Sequence, residues 1–235
     1  MTDLSQAFWL ALNLIASGDA DLAEIVGLSL FVSFSALVVS CGLGFLIGAA
    51  TAVFAFPGRT LLATLLNALM GLPPVVVGLC VYLMLSNAGP LGWMQLLYTP
   101  TAMIIAQCIL ITPIVAALSR QVISDLHDEY RDQFVSLSVP WQTKIAALIW
   151  DARFSLLTVA LAGFGRAIAE VGAVIIVGGN IDHLTRVMTT AIALETSKGN
   201  LALALALGII LLAIAVAVNG VAMSLRASAA RSAYA

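Results

Sequence analysis

The chain has 235 residues, of which 62% are hydrophobic and only 9% charged, and its formal net charge is −2. A soluble domain carries about 25% charged residues, so this composition excludes a globular protein whose main solvent is water. We therefore predict an all-α membrane protein in which residues 1–235 form a single transmembrane domain.

The amino-terminal segment, residues 1–24, is predicted to lie outside the hydrocarbon core. Part of it shows an apolar stripe at helical spacing, which is typical of a short helix at the outer membrane interface. Further apolar residues blur the stripe, so a sixth, shorter span over residues 4–16 is the alternative. A cleavable signal peptide is not expected, because no basic residue precedes the apolar stretch. The stripe consists of Leu4, Phe8, Ala11 and Ile15.

Five apolar segments are long enough to cross a bilayer. A spanning helix needs about 20 predominantly apolar residues, because the hydrocarbon core is roughly 30 Å thick. A cluster of Ser, Asn, Gly and Pro at residues 86–92 marks the turn between the second and third segments. The predicted spans are about 26–56, 61–85, 99–119, 154–178 and 201–225.

Two of these spans contain helix-breaking residues. Residues 71–74 (GLPP) interrupt the second span, and Thr112 with Pro113 interrupts the third. Such breaks are tolerated where neighbouring helices or a water-lined cavity satisfy the freed backbone groups, so packing kinks and a transport pathway both remain open. Three glycines of the first span predict close approach of a neighbouring helix: Gly42, Gly44 and Gly48.

Charge asymmetry predicts the orientation, because Lys and Arg accumulate on cytoplasmic loops. With five spans and the amino terminus outside, only Arg186 and Lys198 face the exterior. The carboxyl terminus is then cytoplasmic. The basic residues predicted to be cytoplasmic are Arg59, Arg120, Arg131, Lys144, Arg153, Arg226 and Arg231.

Residues 120–153 are predicted to form the cytoplasmic loop and carry nine charged side chains. A segment of this length does not fold alone, so its apolar residues need the membrane domain or a partner. Proline ends or kinks a helix, and two short helices are therefore predicted around Val139 and Pro140. Trp141 favours a docking surface, because a large aromatic in a charged loop usually packs against something. A solvated connecting loop is the alternative.

The fourth span contains two charged residues, Arg166 and Glu170, four positions apart and hence on one helix face. A charge near the middle of a membrane costs about 2.5–3.5 kcal/mol even on the permissive insertion scale, so the pair should face the bundle interior or a cavity. Two roles remain open: an ion pair that fixes helix packing, or an anion pathway in which Arg166 attracts the anion and Glu170 holds the arginine.

Enzymatic motifs are absent from the sequence. It contains no GxxxxGK[ST], HExxH, GxSxG or CxxC pattern, and no Gly-Lys pair. The three cysteines fall within apolar spans, and the two histidines lie isolated in loops without metal-ligand spacing. The chain is therefore predicted not to be an enzyme and to bind no metal or cofactor of its own.

The carboxyl-terminal third resembles a known family, the permease subunits of ATP-binding-cassette (ABC) importers for tungstate and, more distantly, molybdate. The resemblance is strong over about the last 75 residues, moderate over 125–155, and rests mainly on topology over the first 120. It implies a type I importer permease with a molybdate-permease-like architecture in a bacterial-type inner membrane. The matching segments are GFGRAIAEVGAV at 163–174, VGGNIDHLTRVMTTAIALETSKGN at 177–200 and LALALALGIILL at 201–212.

The resemblance also implies roles for particular segments. Permeases of this kind have a cytoplasmic coupling segment, the EAA loop, that docks on the ATPase and usually reads EAAxxxG; here the stretch at 132–144 is DQFVSLSVPWQTK, with Ser138 in place of the glycine. The implied coupling residues are Asp132, Gln133, Phe134, Ser138, Pro140 and Trp141. The implied pathway or gate residues are Gly165, Arg166, Glu170 and Gly172. The implied contacts to the pathway or to an extracytoplasmic binding protein are Asn180, Thr185, Arg186, Thr189, Thr190 and Glu195.

The partners follow from the same resemblance: a second copy of the chain, two cytoplasmic ATPases that bind ATP and Mg²⁺, an extracytoplasmic substrate-binding protein and membrane lipid, with no nucleic acid. The implied function is import of an oxyanion, tungstate in the first place. Molybdate or another small anion is the alternative substrate. An ATP-independent channel or secondary transporter, and a membrane scaffold, are the alternative functions.

Overall fold

The computed structural model describes the backbone of residues 4–233 and the side chains of residues 6–221, 223 and 224. The described part is helical and contains no β-strand. Its helices are α1 (Leu4–Ser17), α2 (Ala20–Val53), α3 (Arg59–Leu69), α4 (Pro74–Leu85), α5 (Pro100–Glu129), α6 (Arg131–Ser136), α7 (Trp141–Ile168), α8 (Gly172–Gly178), α9 (Met188–Lys198) and α10 (Leu201–Ala233), with a 3₁₀ turn at Gly92–Met94.

Four helices are long and apolar enough to cross a membrane: α2, α5, α7 and α10. The chain bends by 102° between α3 and α4, so the two are separate helices. They make a fifth candidate span only if the bent pair is counted as one span. The break lies at residues 70–73, beside the predicted GLPP interruption. Four or five candidate spans are compatible with the five predicted, although several boundaries differ.

The predicted fourth span, 154–178, is not one helix. Helix α7 begins earlier, at Trp141, and ends at Ile168, and α8 begins at Gly172. The second of the two short helices predicted around Pro140 is therefore the first part of α7, and only α6 is a separate short helix. The reason is local. Proline is tolerated just before a helix start, because its missing N–H would make no helical hydrogen bond there. A helix can therefore begin directly after Pro140 and run through the charged residues into the apolar segment.

The predicted interruption at Pro113 is also wrong, since α5 continues through it.

The glycine prediction holds at two of three positions. A Cβ atom on Gly44 would lie 2.7 Å from Val115 Cγ1, and one on Gly48 would lie 2.8 Å from Ala116 O, whereas a Cβ on Gly42 would meet nothing within 4 Å. Helices α2 and α5 therefore approach closely along Gly44 and Gly48.

The described chain divides into two compact units. The first comprises residues 1–36, 73–107 and 165–219, and the second comprises 37–72, 108–164 and 220–235. In the second unit, α2, α5 and α7 meet in an apolar core, formed by Ala49, Ala52, Ile123, Leu148, Ala152 and Leu156. In the first unit, α4 and α8 pack so closely that a Cβ on Gly78 would lie 2.8 Å from Ala173 Cα.

Helix α1 belongs to the first unit and is too short to span a bilayer alone, at 14 residues and about 1.5 Å per residue. Its buried face differs from the predicted stripe. Ala7 and Ala11 are buried, whereas Phe8 and Trp9 are exposed. Ala11 of the predicted stripe thus faces the unit, whereas Phe8 of the same stripe is exposed.

Candidate functional site

The ion pair predicted from the sequence forms at the end of α7. Arg166 Nη1 lies 3.1 Å from Glu170 Oε2, and the two side chains are 34% and 3% exposed. Arg166 is in the last turn of α7, and Glu170 follows the helix end. The pair therefore sits at a helix break and joins one half-exposed cation to one buried carboxylate.

Glu170 holds three parts of the first unit together. Its Oε1 accepts a hydrogen bond from the Ala173 N–H at 3.1 Å, which satisfies a free donor in the first turn of α8. Its backbone carbonyl accepts the Thr189 hydroxyl at 2.8 Å, which connects the helix break to α9. The other carboxylate oxygen contacts Arg166, so the side chain of Glu170 connects the end of α7 to α8, while its backbone carbonyl makes the connection to α9.

A buried polar cluster lies against this carboxylate, and sequence patterns alone did not predict it. Gln107, 3% exposed, donates from Nε2 to the Ala167 carbonyl at 3.1 Å. Ser29 accepts the Met188 N–H at 2.7 Å although the two residues are 159 positions apart. Together with Ser33, these side chains line a very small cavity against Glu170. A glutamine within an apolar span was the one available signal, because buried amides are nearly always hydrogen-bonded.

The two predicted pathway glycines differ in surroundings. Gly172 is the first residue of α8, and a Cβ there would lie 3.0 Å from Val75 Cγ2. Gly165 precedes Arg166 directly, and a Cβ there would meet nothing within 4 Å. Gly172 thus packs tightly against α4, where a larger residue would have to displace Val75, and Gly165 leaves open space beside the arginine.

The threonines predicted to contact the pathway or an extracytoplasmic binding protein lie inside the first unit. The Thr185 hydroxyl donates to the Gly178 carbonyl and accepts the Ile181 N–H at 2.9 Å. The Thr190 hydroxyl donates to Asn180 Oδ1 at 2.8 Å. Thr185 and Thr190 are fully buried, so both fold the connection from α8 to α9 and do not present a contact surface.

The charged residues of this connection form local pairs. Arg186 Nη1 lies 2.6 Å from Asp182 Oδ1, and the carboxylate of Glu195 is bonded by Lys198 and Asn200 at 2.8 and 3.0 Å. The Lys198 hydrogen bond is the main cause that lowers the pKa of Glu195 from its ordinary value. Glu195 is buried, and Arg186 remains partly accessible.

The loop position of His183 indicated an isolated side chain, but in the structure this histidine has a partner. Its Nδ1 lies 2.8 Å from Glu24 Oε2, across 159 positions of the chain. The hydrogen bond to Glu24 raises the pKa of His183, with further support from the charges of Glu24 and Asp182. With Asp21, these groups place three possible metal-ligand atoms within 4.8 Å of one another. The histidine–glutamate contact connects α2 to the loop before α9.

The predicted coupling segment presents apolar side chains outward. Val135 and Leu137 are 70% and 75% exposed, while Phe134 packs inward against the apolar core of the second unit and edge-on against Tyr130 at 5.9 Å. Trp141 is 54% exposed, with its ring centroid 5.7 Å from that of Phe54. About half of the Trp141 side chain thus packs against this chain, and the other half is exposed and could contact another protein.

Ser138 explains why this position favours glycine. Its φ angle is +49°, in the left-handed region that L side chains rarely adopt. The position closes α6 and redirects the chain toward Pro140, at the start of α7. Asp132 and Gln133 lie on exposed turns of α6, so the six predicted coupling residues are close in sequence and, except for Phe134, outward-facing or at the turn.

Four helices long and apolar enough to cross a membrane, with a charged pair at a helix break, indicate a multi-pass helical membrane protein. No protein-family model matches the sequence. The chain is 39% identical over 226 residues to the tungstate uptake system permease protein TupB of Peptoclostridium acidaminophilum, an alignment that covers 96% of this chain and 99% of the relative.

Two further relatives agree. A probable anion ABC transporter permease protein of Haloferax volcanii is 41% identical over 80% of this chain and 84% of its own length. The TupB permease of Campylobacter jejuni is 34% identical over 82% of this chain and 80% of its own length. The chain belongs to the family of tungstate- and anion-type ABC transporter permeases.

Proposed function

We propose that the chain is the membrane-spanning subunit of an ABC importer that carries an oxyanion, tungstate first among the candidates. The observation that carries the chemistry is the pairing of a 34% exposed Arg166 with a 3% exposed Glu170. The buried carboxylate fixes the guanidinium, and the guanidinium keeps donors free for a passing anion. Arginine suits this role because its planar fork of N–H groups matches oxyanion geometry.

Energy for transport is proposed to come from a partner ATPase, since the sequence has no P-loop. The exposed apolar side chains of Val135, Leu137 and Trp141 support a docking surface, because solvent-exposed apolar groups at adjacent positions mark interaction sites. The chain itself then binds no nucleotide, and ATP with Mg²⁺ belongs to the partner.

The proposed assembly contains two permease copies in a type I importer architecture, two ATPases and an extracytoplasmic binding protein. The amino terminus is outside and the carboxyl terminus cytoplasmic, in agreement with the Lys and Arg distribution. Reporter fusions after Ser5 and after Tyr234 should show opposite sidedness. Equal sidedness would rule out this orientation.

Uptake in a strain that lacks the chain tests the substrate. Accumulation of tungsten and molybdenum is measured with each oxyanion supplied separately, and the deletion should abolish tungstate uptake. Undiminished tungstate uptake would reject tungstate as the main substrate. Uptake that persists after loss of the ATPase would favour a channel or secondary transporter.

Replacement of Trp141 by alanine tests the coupling surface. The substitution should reduce co-purification of the ATPase and reduce uptake, while the chain still inserts in the membrane, because large buried aromatics dominate protein interfaces. Trp150→Ala provides the matched control, since Trp150 is also exposed but lies outside the coupling segment. Unchanged co-purification with Trp141→Ala would exclude this residue from the docking surface.

A further inference from the structure

The second unit contains a polar groove that is separate from the Arg166 pair. The groove lies between α3 and α5 and has a volume of about 390 Å³. A liquid water occupies about 30 Å³, so the space exceeds that of a small hydrated ion. Six residues line the groove: Arg59, Thr60, Ala63, Thr64, Asn67 and Arg120.

Helix α3 presents a polar face to this groove. Thr60, Thr64 and Asn67 follow one another at intervals of four and three residues, so they lie on one side of the helix. The opposite side carries Leu62 and Leu66, which pack against the apolar cluster with α5. Thr60, Thr64 and Asn67 are exposed, so the groove is open to the surroundings of the protein.

The charge of the groove is positive and uncompensated within the described residues. Two arginines line it, and no aspartate or glutamate does. Arg59 Nη2 donates to the Ala52 carbonyl at 2.9 Å, which anchors that side chain. The Nε of Arg120 is buried and has no hydrogen-bond partner in the described part of the chain. Buried N–H groups are nearly always paired, so this donor is available to an acceptor outside the described residues.

The walls of the groove are held in place by close packing. A Cβ on Gly48 would lie 2.9 Å from the backbone nitrogen of Arg120, so α2 fixes the position at which this side chain leaves α5. Helix α3 also begins at the groove, with Gly58 as its N-cap and no side chain capping its free N–H groups. The positive end of its dipole adds to the field of the two arginines.

We propose that this groove is a second oxyanion-binding site, in which Arg59 and Arg120 supply charge and Thr60, Thr64 and Asn67 supply neutral hydrogen bonds. The ligand is a tetrahedral oxyanion group, either a free oxyanion such as tungstate or the phosphate of an anionic lipid headgroup. The site goes beyond the proposed function, which assigns anion binding only to Arg166. Binding is measured on the permease alone, so its failure would leave the transport proposal untouched.

The test compares variants of the full-length chain in nanodiscs of phosphatidylcholine. Sodium tungstate binding is measured by isothermal titration for the chain with Arg120 intact, for Arg120→Gln and for Arg120→Lys. Each carries Arg166→Gln together with Glu170→Gln, which removes the other anion site without leaving a buried unpaired carboxylate. Arg120→Gln should lower tungstate affinity about tenfold or more, since a hydrogen bond to a charged group is lost, and Arg120→Lys should restore part of it.

A matched control is Arg153→Gln, because the Arg153 guanidinium is already covered by the rings of Trp150 and Phe154. It removes the same charge and should leave binding unchanged. The lipid arm measures phosphatidylglycerol retained by each purified variant. If Arg120→Gln loses retained phosphatidylglycerol and Arg153→Gln does not, the ligand is a lipid headgroup. If Arg120→Gln loses tungstate affinity and Arg153→Gln does not, the ligand is a free oxyanion. If neither quantity differs between Arg120→Gln and Arg153→Gln, the groove binds no oxyanion group and the proposal is overturned.

Should Arg120→Gln fail to fold, Asn67→Leu provides a second variant. Asn67 is exposed on α3, so leucine is tolerated there while the neutral donor is lost and the groove is narrowed. Affinity for tungstate, or retention of phosphatidylglycerol, should again fall. Unchanged values for both would also overturn the proposal.

Discussion

The two members of the Arg166–Glu170 pair should respond very differently to neutralisation. Arg166→Gln leaves the carboxylate of Glu170 without a counter-charge at 3% exposure, and breaking a buried pair in this way costs about 3–5 kcal/mol. Glu170→Gln leaves the guanidinium at 34% exposure, where solvent screens it. The glutamine oxygen can still accept the Ala173 N–H, so we expect a cost of about 1–2 kcal/mol.

The double variant Arg166→Gln with Glu170→Gln separates folding from transport. Replacement of both charges removes the buried unpaired group, and the stability should return close to that of the native chain. Uptake should not return, because the cation that receives the anion is gone. Stability is measured as the temperature of half-maximal loss of the monodisperse chromatographic peak, and uptake as tungsten accumulated by cells.

A surface pair provides the control. Asp182 and Arg186 have the same spacing of four residues, and the Asp182 side chain is 59% exposed. Arg186→Gln, the same substitution as at Arg166, leaves the Asp182 carboxylate at 59% exposure, where solvent screens it, and should change stability by about 1 kcal/mol or less. The structural reasoning is refuted if Glu170→Gln destabilises the chain as strongly as Arg166→Gln. A double variant that transports at the native rate would eliminate the pathway role of the pair.

Three further predictions follow from local geometry. Ser138→Gly should stabilise the chain by about 0.5–1 kcal/mol, measured by the same thermal assay, because φ is +49° there; an unchanged or lower midpoint would contradict it. Gly48→Ala should destabilise by about 1–3 kcal/mol through its 2.8 Å clash, whereas Gly42→Ala should not, and equal effects would refute the close approach. Since the pKa of His183 is raised by Glu24, the charged pair should stabilise the chain fully below the ordinary histidine pKa, and this contribution should be lost as pH rises through the raised value. The midpoint of an NMR titration of His183 should move to lower pH in Glu24→Gln, and an unshifted midpoint would exclude the contact.

Several features of the fold were predictable because they depend on local composition. Charge-free stretches of membrane-spanning length predicted the long apolar helices, and the GLPP sequence predicted the break between α3 and α4. The boundary errors have one cause: apolarity does not report where a helix ends. Residues 141–153 form the first part of α7 although they include Lys144, Asp151 and Arg153. Pro113, which is buried, does not stop α5.

The candidate site was predictable only in part. The spacing of Arg166 and Glu170 predicted an ion pair, since residues four apart on a helix meet. The sequence did not reveal that Thr185 and Thr190 are buried, because a polar residue in a loop reads as exposed unless its hydrogen-bond partners are known. Their partners, Gly178 and Asn180, become neighbours only when the connection from α8 to α9 folds back.

The sequence by itself determined the solvent of this protein, the approximate position of its apolar helices and the presence of a charged pair at 166 and 170. The tertiary structure decided which member of the pair is buried and which side chains meet from distant positions. Ser29 reaches Met188, and Glu24 reaches His183, each across 159 residues. Hydropathy and helix period are local properties of the chain, whereas burial and electrostatic environment depend on which helices pack together, and that selection is made by close contacts such as those of Gly48.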